Sequence, residues 1–365
     1  MVKFLKDYLK KSSKDKLSFF EFMKLALYAP RYGYYASSAE KFGSHGDFIT
    51  APELTPLFAQ GMAVQFAQIF QHLPQKNILE LGAGSGKFAM DVLQALESKG
   101  VEIDHYYILE VSEDLRERQK AYCKKFDRFF PKMIWLDTLP PSNSWTGIVF
   151  GNEVLDAMPV HRFIKRDGKI WEESVELKGV NFSYGEPLEP SSELLMAVQI
   201  LEERLGAFAE GYCSEVNLWI RPWLRSLYDS LKAGAVLLID YGYSEREYYA
   251  SSRKAGTLMS YFQHQAHSDV LFQPGDQDIT AHVNFSEVAE AGIEAGFELS
   301  GYTTQGLFLA KVLQEIGPLE PSVSQHLRRL MHPEAMGEIF KVIGFEKNLD
   351  FDGLEFDGVN QMHQL

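Results

Sequence analysis

Residues 77–86 have the sequence NILELGAGSG, and this stretch decides the fold. Its first seven residues predict a short apolar strand, and a helical pattern follows over 87–99. Between them, Gly82 permits a tight turn, while Gly84 and Gly86 let a ligand approach the backbone closely. The start of the following helix offers unpaired N–H groups. We therefore expect a ligand to bind where this strand ends.

An acidic residue, Glu80, stands two positions before the first glycine. The spacing E-x-G-x-G-x-G is typical of S-adenosylmethionine-dependent methyltransferases, in which the carboxylate holds the amino group of the cofactor. A dinucleotide loop follows G-x-G-x-x-G, and its third glycine would fall at Lys87. Dinucleotide binding and a tight turn without a ligand are the alternatives. We predict that S-adenosylmethionine is bound by Glu80, Gly82, Ala83, Gly84 and Gly86.

Outward from the loop, short apolar strands alternate with helices. The predicted strands lie at 77–83, 105–112, 133–137, 147–153, 235–242 and 297–303. This alternation predicts an α/β fold, with a parallel sheet and helices on both of its faces. The alternation is interrupted by a predicted hairpin that turns at Asp167-Gly168. Periodicity does not decide whether residues 306–313 form a strand or a helix.

The predicted organisation has five segments. They are an N-terminal helical cap (1–73), the first half of the core (74–160), an inserted hairpin with helices (161–232), the second half of the core (233–316) and a C-terminal tail (317–365). Two capping boxes predict helix starts within the cap, one formed by Ser18 and Glu21 and the other by Thr50 and Glu53.

Acidic residues follow the second, third and fourth predicted strands. Ligands of open α/β sheets lie at the carboxyl ends of the strands. We therefore expect Glu110 to accept the ribose hydroxyls and Asp137 to accept the adenine amino group; the alternatives are a helix-start glutamate and a solvated turn. Asn152, Glu153 and Asp156 are the candidate catalytic residues, because carboxylates orient a planar guanidinium acceptor. For Glu153 and Asp156 the alternatives are a helix cap and a surface turn.

Composition limits the class of protein. The 365 residues are 45% hydrophobic and 24% charged, which is typical of a globular chain of two to three domains. A net charge of −14 argues against nucleic acid as the main partner. Two cysteines, Cys123 and Cys213, exclude a disulfide framework and a cysteine-based zinc site, and we predict no metal site.

Targeting signals are weak in this sequence. No apolar run approaches the roughly 18 residues that a membrane span needs, so we expect no membrane insertion. The first 16 residues, MVKFLKDYLKKSSKDK, contain no arginine and no apolar core of a leader. The expected location is the cytoplasm. The sequence is compatible with a homo-oligomer.

Several blocks of sequence resemble the MidA-type methyltransferases. The segment GDFITAPE at 46–53 is similar to the GDFxTxPE signature of that family, and residues 22–35 match its FMxxALYxPxxGYY block. The resemblance covers about residues 18–345 in order. Further matching blocks lie at 80–86, 152–161, 239–242, 256–258, 278–285 and 336–342.

The resemblance implies a class I methyltransferase core, Rossmann-like, with S-adenosylmethionine as cofactor. It also implies that Gly46, Asp47 and Thr50 lie near the cofactor. The mitochondrial members are assembly factors of respiratory complex I, which implies a protein-arginine methyltransferase whose partner is a protein, such as a complex I subunit. This sequence departs from the family at Met259-Ser260 and at Asn284, which affects the inference about substrate.

Two rival functions stay open at this point. One is a methyltransferase that acts on a small molecule or on another residue type. The other is an assembly chaperone that binds the cofactor with little turnover. An accessible acceptor site beside Glu153 would favour catalysis, whereas a blocked pocket with an exposed apolar patch would favour the chaperone.

Overall fold

The computed structural model describes residues 1–11, 15–36, 50–179, 181–262, 265–317, 324–349 and 356–365. Gly46 and Asp47, two of the residues that the family resemblance singles out, lie outside this described part.

An eight-stranded sheet forms the centre of the molecule. Seven of its strands, numbered here within this sheet, are β1 (Asn77–Leu81), β2 (His105–Leu109), β3 (Met133–Leu136), β4 (Trp145–Asn152), β5 (Leu231–Tyr243), β6 (Glu298–Thr304) and β7 (Phe340–Lys347). Their spatial order is β3-β2-β1-β4-β5-β7-β6. The two-residue strand Val283–Asn284 pairs with the end of β5.

The first five strands are parallel to one another, and β7 is antiparallel to both of its neighbours. Burial on both faces explains why these strands are nearly continuous apolar runs rather than alternating ones. The predicted α/β fold, a mostly parallel sheet flanked by helices, is confirmed.

The interpretation of 317–365 as an appended tail is wrong for β7, which lies between β5 and β6. Seven of its eight residues are buried. It was missed because it follows two helices and an irregular segment, so it breaks the alternation of strand and helix that located the other strands. Residues 306–313, which periodicity left undecided, belong to the helix Gln305–Leu313.

Twelve α-helices accompany the strands in the described part of the chain. They are α1 (Val2–Lys11), α2 (Phe19–Tyr28), α3 (Ala51–Leu54), α4 (Pro56–Ile69), α5 (Lys87–Ser98), α6 (Glu113–Cys123), α7 (Ser192–Leu205), α8 (Ile220–Ser230), α9 (Glu245–Tyr248), α10 (Phe285–Ala295), α11 (Gln305–Leu313) and α12 (Ser324–Met331).

Two apolar clusters cover the two faces of the sheet. On one face, α4 packs against α5 and α11, and Phe66 and Phe88 both contact Phe150 of β4. On the other face, α8 packs against α10, with Leu224 and Phe285 fully buried. Burying a side chain of this size contributes about 1.5–3 kcal/mol, so the two clusters supply much of the stability of the core.

Three small antiparallel sheets surround the large one. Their strands are, in order of pairing, Lys16–Ser18, Ser174–Lys178 and Asn181–Tyr184; Cys213–Val216, His161–Arg166 and Lys169–Glu172; and Gln265–His267, Met259–Phe262 and Asp278–Thr280. The predicted hairpin is confirmed, with Asp167 and Gly168 at φ 52° and 70° in its two-residue turn. The first of these sheets joins the N-terminal segment to the insertion.

The two predicted capping boxes have different outcomes. Ser18 and Glu21 form both reciprocal hydrogen bonds at the start of α2. A helix begins after Thr50 as predicted, but the capping box there is wrong, because the side chain of Thr50 makes no capping hydrogen bond. Pro56 holds Thr55 in an extended conformation, so the helical segment after Thr50 is divided into α3 and α4. Glu53 consequently faces the glycine loop instead of its own helix start.

Candidate active site

Three glycines shape the loop after β1. Gly82, Gly84 and Gly86 have φ values of 63°, 53° and 83°, in the left-handed region that glycine adopts without steric cost. The N–H of Gly82 donates to the carbonyl of Leu109 at 3.0 Å, which ties the loop to the end of β2. The chain then enters α5 directly, so the start of that helix faces the same space as the loop.

A cavity of about 460 Å³ opens beside this loop. Most of the predicted site residues lie in its wall: Thr50, Glu80, Gly82, Ala83, Gly84, Glu110, Asn152 and Glu153. Gly86, Asp137 and Asp156 are not among its lining residues. The carboxyl ends of β1, β2 and β4 therefore bring residues distant in sequence to one site, as expected of an open α/β sheet.

Glu110 is buried and held in a fixed orientation. Its carboxyl group accepts hydrogen bonds from the N–H of Ser112 at 3.0 Å and from Nε2 of Gln119 at 2.9 Å. Burial raises the pKa of Glu110, and these two donors oppose that shift. A carboxyl group fixed at the end of the second strand fits the ribose role that the sequence predicts for it.

Gln119 connects the two parts of the site and was missed by the sequence analysis. Besides holding Glu110, its Nε2 donates to the carbonyl of Gly84 at 3.1 Å, and its Oε1 accepts from Nε1 of Trp135 at 3.1 Å. It is completely buried. The available signal was its amide side chain on the inner face of α6, a helix otherwise dominated by charged residues.

Glu80 differs from what its motif predicts. Its side chain is only 4% exposed and accepts a hydrogen bond from the hydroxyl of Tyr106 at 2.8 Å. Burial raises the pKa of Glu80 to about 8, and the negative charge of Glu110 adds to this shift. Its surroundings therefore favour the neutral carboxylic acid, although the motif suggests an ionised carboxylate.

Asp137 lies away from the cavity. Its side chain is 84% exposed and forms an ion pair with Arg116. Arg116 also donates to the carbonyl oxygens of Glu110 and Leu136, so it joins the ends of β2 and β3. The structure thus agrees with the solvated-turn alternative for Asp137 rather than with an adenine ligand.

A buried carboxylate shapes the turn that follows β4. Oδ2 of Asp240, at the end of β5, accepts hydrogen bonds from the N–H groups of Val154, Leu155 and Asp156 at 3.1, 2.8 and 3.2 Å. Just before them, Glu153 has φ 54°, a conformation that costs a non-glycine residue free energy. Asp240 therefore stabilises a strained turn that aims Glu153 at the cavity.

Three buried carboxyl groups, those of Glu153, Asp156 and Asp240, cluster at this turn, and burial raises the pKa of each. Burial and the nearby Asp156 raise the pKa of Glu153 to about 8, although Asn152 donates to its Oε1 at 3.0 Å. Burial raises the pKa of Asp156 to about 6, against the hydrogen bond that Tyr241 donates to its Oδ2 at 2.7 Å. Asp156 is 5% exposed, which excludes the surface-turn alternative.

Two tyrosines, Tyr28 and Tyr35, form a further part of the cavity wall. Their rings stack with centroids 5.5 Å apart. The hydroxyl of Tyr28 donates to the carbonyl of Ala157 at 2.8 Å, and that of Tyr35 donates to the carboxylate of Asp278 at 3.1 Å. Both tyrosines lie in the sequence block at 22–35, but no local pattern connects them with the site.

Over the described ranges, no helix combines the length and the apolar character that crossing a bilayer requires. In the same part of the chain, no group of three or more His, Cys, Asp or Glu side chains is arranged to hold a metal ion.

Comparison with known proteins gives consistent matches. Residues 62–303 match the family described as "Putative S-adenosyl-L-methionine-dependent methyltransferase". A rat and a human relative, each named "Protein arginine methyltransferase NDUFAF7, mitochondrial", are both 27% identical, with 88% of this chain and 78% of the relative covered. The fruit-fly homologue is 28% identical, with 88% of this chain and 80% of that relative covered.

A solved structure extends the match to the whole chain. The crystal structure of a Burkholderia thailandensis protein bound to S-adenosyl-homocysteine is 36% identical, with a TM-score of 0.91 over 100% of this chain and 96% of that one. The cradle of three glycines, the cavity and the buried Glu110 fit such a ligand. The cofactor is therefore S-adenosylmethionine, and this chain belongs to the family of S-adenosylmethionine-dependent methyltransferases.

Proposed function

We propose that this enzyme transfers methyl groups to the guanidinium of an arginine in a protein substrate. The names of the mitochondrial relatives support this proposal, at identities of about 27%. The resemblance of the sequence blocks supports it as well. A subunit of respiratory complex I is the candidate substrate that this resemblance suggests, and the cytoplasm is the proposed location, which cell fractionation would test.

One observation carries the proposal: an excess of carboxyl groups beside the cavity. Glu153, Asp156 and Asp240 lie together around the turn after β4, and burial raises the pKa of each. In the described part of the chain, no lysine or arginine forms an ion pair with any of the three. A cationic group bound here would compensate the negative charge of these carboxylates. It would thereby lower the free-energy cost of burying them without a partner.

A guanidinium suits this site better than other cations do. It is planar, it is always charged in solution, and its N–H groups form a fixed fork that matches carboxylates. Its flat face can stack on aromatic rings such as those of Tyr28 and Tyr35. A small cation would use the charge of Glu153 but would leave this aromatic wall without a role.

The residues then have distinct tasks in transfer. The bound cofactor would supply the methyl group of its sulfonium, and S-adenosylhomocysteine would leave as the S–CH3 bond breaks. Glu153 would orient the guanidinium, so that one nitrogen lone pair points along the line of attack. As the new C–N bond forms, the nitrogen becomes more acidic, and a nearby carboxylate can accept the proton that leaves. Asp156, held by Tyr241, lies next to Glu153 and could pass that proton onward.

The cavity bears differently on the two rival functions. Asn152 and Glu153 line the open cavity, which favours an accessible acceptor site over a cofactor-binding chaperone. A small-molecule acceptor is the second candidate, since a cavity of about 460 Å³ can enclose small ligands.

A methyl-transfer assay tests the proposal. Labelled S-adenosylmethionine and the purified enzyme are added to a lysate from cells that lack this protein, with the Glu153→Gln variant as control. We expect one or a few labelled protein bands, whose hydrolysate contains labelled methylarginine. Label on another residue type, or only in the small-molecule fraction, would contradict the proposal.

A further inference from the structure

We propose that Glu53 holds the α-ammonium group of the cofactor's methionine portion, the role that the loop motif assigns to Glu80. Glu53 belongs to α3, outside the glycine loop, and lines the cavity on the side of Ser85. This proposal concerns only cofactor binding, so it does not depend on whether the acceptor is arginine.

The carboxylate of Glu53 is held against the glycine loop by one contact. Oγ of Ser85 donates a hydrogen bond to Oε1 of Glu53 and accepts one from the N–H of Lys87 at 3.2 Å. Within the described ranges, no other group donates a hydrogen bond to Glu53. The side chain is thus oriented at the loop, while its second oxygen stays available to a ligand in the cavity.

Among the charged side chains of the cavity wall, that of Glu53 is the best placed to bind a cation. Four glutamates and one lysine are among its described lining residues: Glu53, Glu80, Glu110, Glu153 and Lys24. The carboxyl group of Glu110 already accepts hydrogen bonds from Ser112 and Gln119. That of Glu153, at the end of β4, accepts one from Asn152.

Glu80 is poorly suited to bind an ammonium group. It lies beneath the loop with 4% exposure and is already engaged by Tyr106. To reach it, the ammonium group would have to lose its hydration, and burial also disfavours the ionised form of this carboxyl group. Glu53 is only partly buried, so a charge-assisted hydrogen bond can form there at a smaller desolvation cost.

The position of α3 is fixed from both sides of the cavity. The N–H of Glu53 donates to the carbonyl of Thr50 at 3.0 Å, which closes the first turn. The N–H of Ala51 bonds to the carboxyl group of Glu153. One short helix thus connects Glu53, at the glycine loop, with Glu153, at the end of β4.

Binding measurements with two ligands test this assignment. S-adenosylhomocysteine carries the α-ammonium group, whereas 5′-methylthioadenosine has the same adenosine and thioether without the amino-acid portion. For Glu53→Gln we expect at least a tenfold rise in the Kd of S-adenosylhomocysteine by calorimetry, and less than a twofold change for 5′-methylthioadenosine. Ser85→Ala, which keeps the charge but removes its orienting contact, should cause a smaller loss that is selective for the same ligand.

Matched variants separate the possible outcomes. Glu102→Gln makes the same change at an exposed position outside the cavity and should leave both affinities unchanged. Equal weakening of both ligands by Glu53→Gln would mean that Glu53 only maintains the fold, and this would overturn the assignment. A selective loss in Glu80→Gln with none in Glu53→Gln would return the role to Glu80. Neither ligand contains an acceptor, so failure here leaves the proposed arginine substrate untouched.

Discussion

The hydroxyl of Tyr106 donates a 2.8 Å hydrogen bond to Oε2 of Glu80, and this contact joins the neighbouring strands β1 and β2 beneath the cofactor loop. Both side chains are buried. The bond offsets part of the cost of burying Glu80 but leaves its pKa raised to about 8. Glu80, which the loop motif predicts to be a cofactor ligand, is therefore also a buried group whose ionisation affects the stability of the core.

Stability should consequently fall as the pH rises through this pKa. The pKa of Glu80 is raised on folding from 4.5 to about 8. The folded state therefore binds more protons than the unfolded state between these values, and stability decreases with pH across that window. Glu80→Gln has no such proton to lose. From pH 5 to pH 8, its free energy of unfolding relative to the wild type should rise by about 2–4 kcal/mol.

Urea unfolding at the two pH values measures this difference. Glu153 and Asp156 also have raised pKa values, but they are present in both proteins and cancel in the comparison. A difference between variant and wild type that does not change with pH would show that Glu80 is ionised in the folded protein.

Gly84→Val should abolish cofactor binding. Gly84 has φ 53° and lines the cavity, so a β-branched side chain would be strained there and would also occupy space needed by the ligand. We expect the Kd of S-adenosylhomocysteine to rise at least about 100-fold, and we expect no binding of NAD to the wild type. Retained affinity in the variant, or comparable heats of binding for NAD, would contradict the cofactor site.

Glu110→Ala should weaken cofactor binding about 10- to 100-fold, the loss expected for a charge-assisted contact of about 1.5–3 kcal/mol. The loss should be the same for S-adenosylhomocysteine and 5′-methylthioadenosine, because both contain the ribose. Gln119→Leu should have a smaller effect, since it only releases Glu110 and the loop. A change of less than twofold in the alanine variant would exclude Glu110 as the ribose ligand.

Local patterns predicted much of this fold. The strand at β1, the glycine loop, the following helix and the hairpin at Asp167-Gly168 all follow from short-range rules of periodicity and turn chemistry. Strand β7 could not be found in this way, because its place between β5 and β6 depends on pairing with strands distant in sequence. The break that Pro56 imposes at Thr55, between α3 and α4, was likewise not anticipated from the capping pattern of Thr50 and Glu53.

The site was predictable in its position rather than in its details. The rule that ligands lie at the carboxyl ends of strands located Glu110 and Glu153 on the cavity wall. The same rule placed Asp137 there as well, but its side chain turns outward to Arg116. Gln119 and Asp240 act through contacts across elements, and no sequence pattern reports which backbone N–H groups such residues will meet.

Asp240→Asn should destabilise the protein by about 2–4 kcal/mol, because the amide can replace only one of the two oxygens that accept backbone N–H groups at the turn. Asp137→Asn, the same change at an exposed side chain, should change stability by less than about 0.5 kcal/mol. Urea unfolding at pH 7 measures both. Equal, small effects would mean that Asp240 does not hold the turn.

The last prediction concerns Glu153, whose left-handed backbone directs its carboxyl group into the cavity. Glu153→Gln should leave the Kd of S-adenosylhomocysteine within about threefold of the wild type. It should lower methyl transfer at least about 100-fold, because the missing charge acts on the guanidinium during transfer. Asp156→Asn should have a smaller effect, since that side chain lies behind the turn and is bound to Tyr241.

The pH dependence of transfer distinguishes a catalytic Glu153 from a structural one. Because burial raises its pKa to about 8, kcat/KM of the wild type should increase with pH up to about that value, as the carboxylate forms. The residual activity of Glu153→Gln should lack this limb of the profile. Loss of cofactor binding together with turnover would mean that Glu153 only supports the fold. Near-normal turnover would place the acceptor site elsewhere, and Asp47, in the segment before α3, would be the next residue to test.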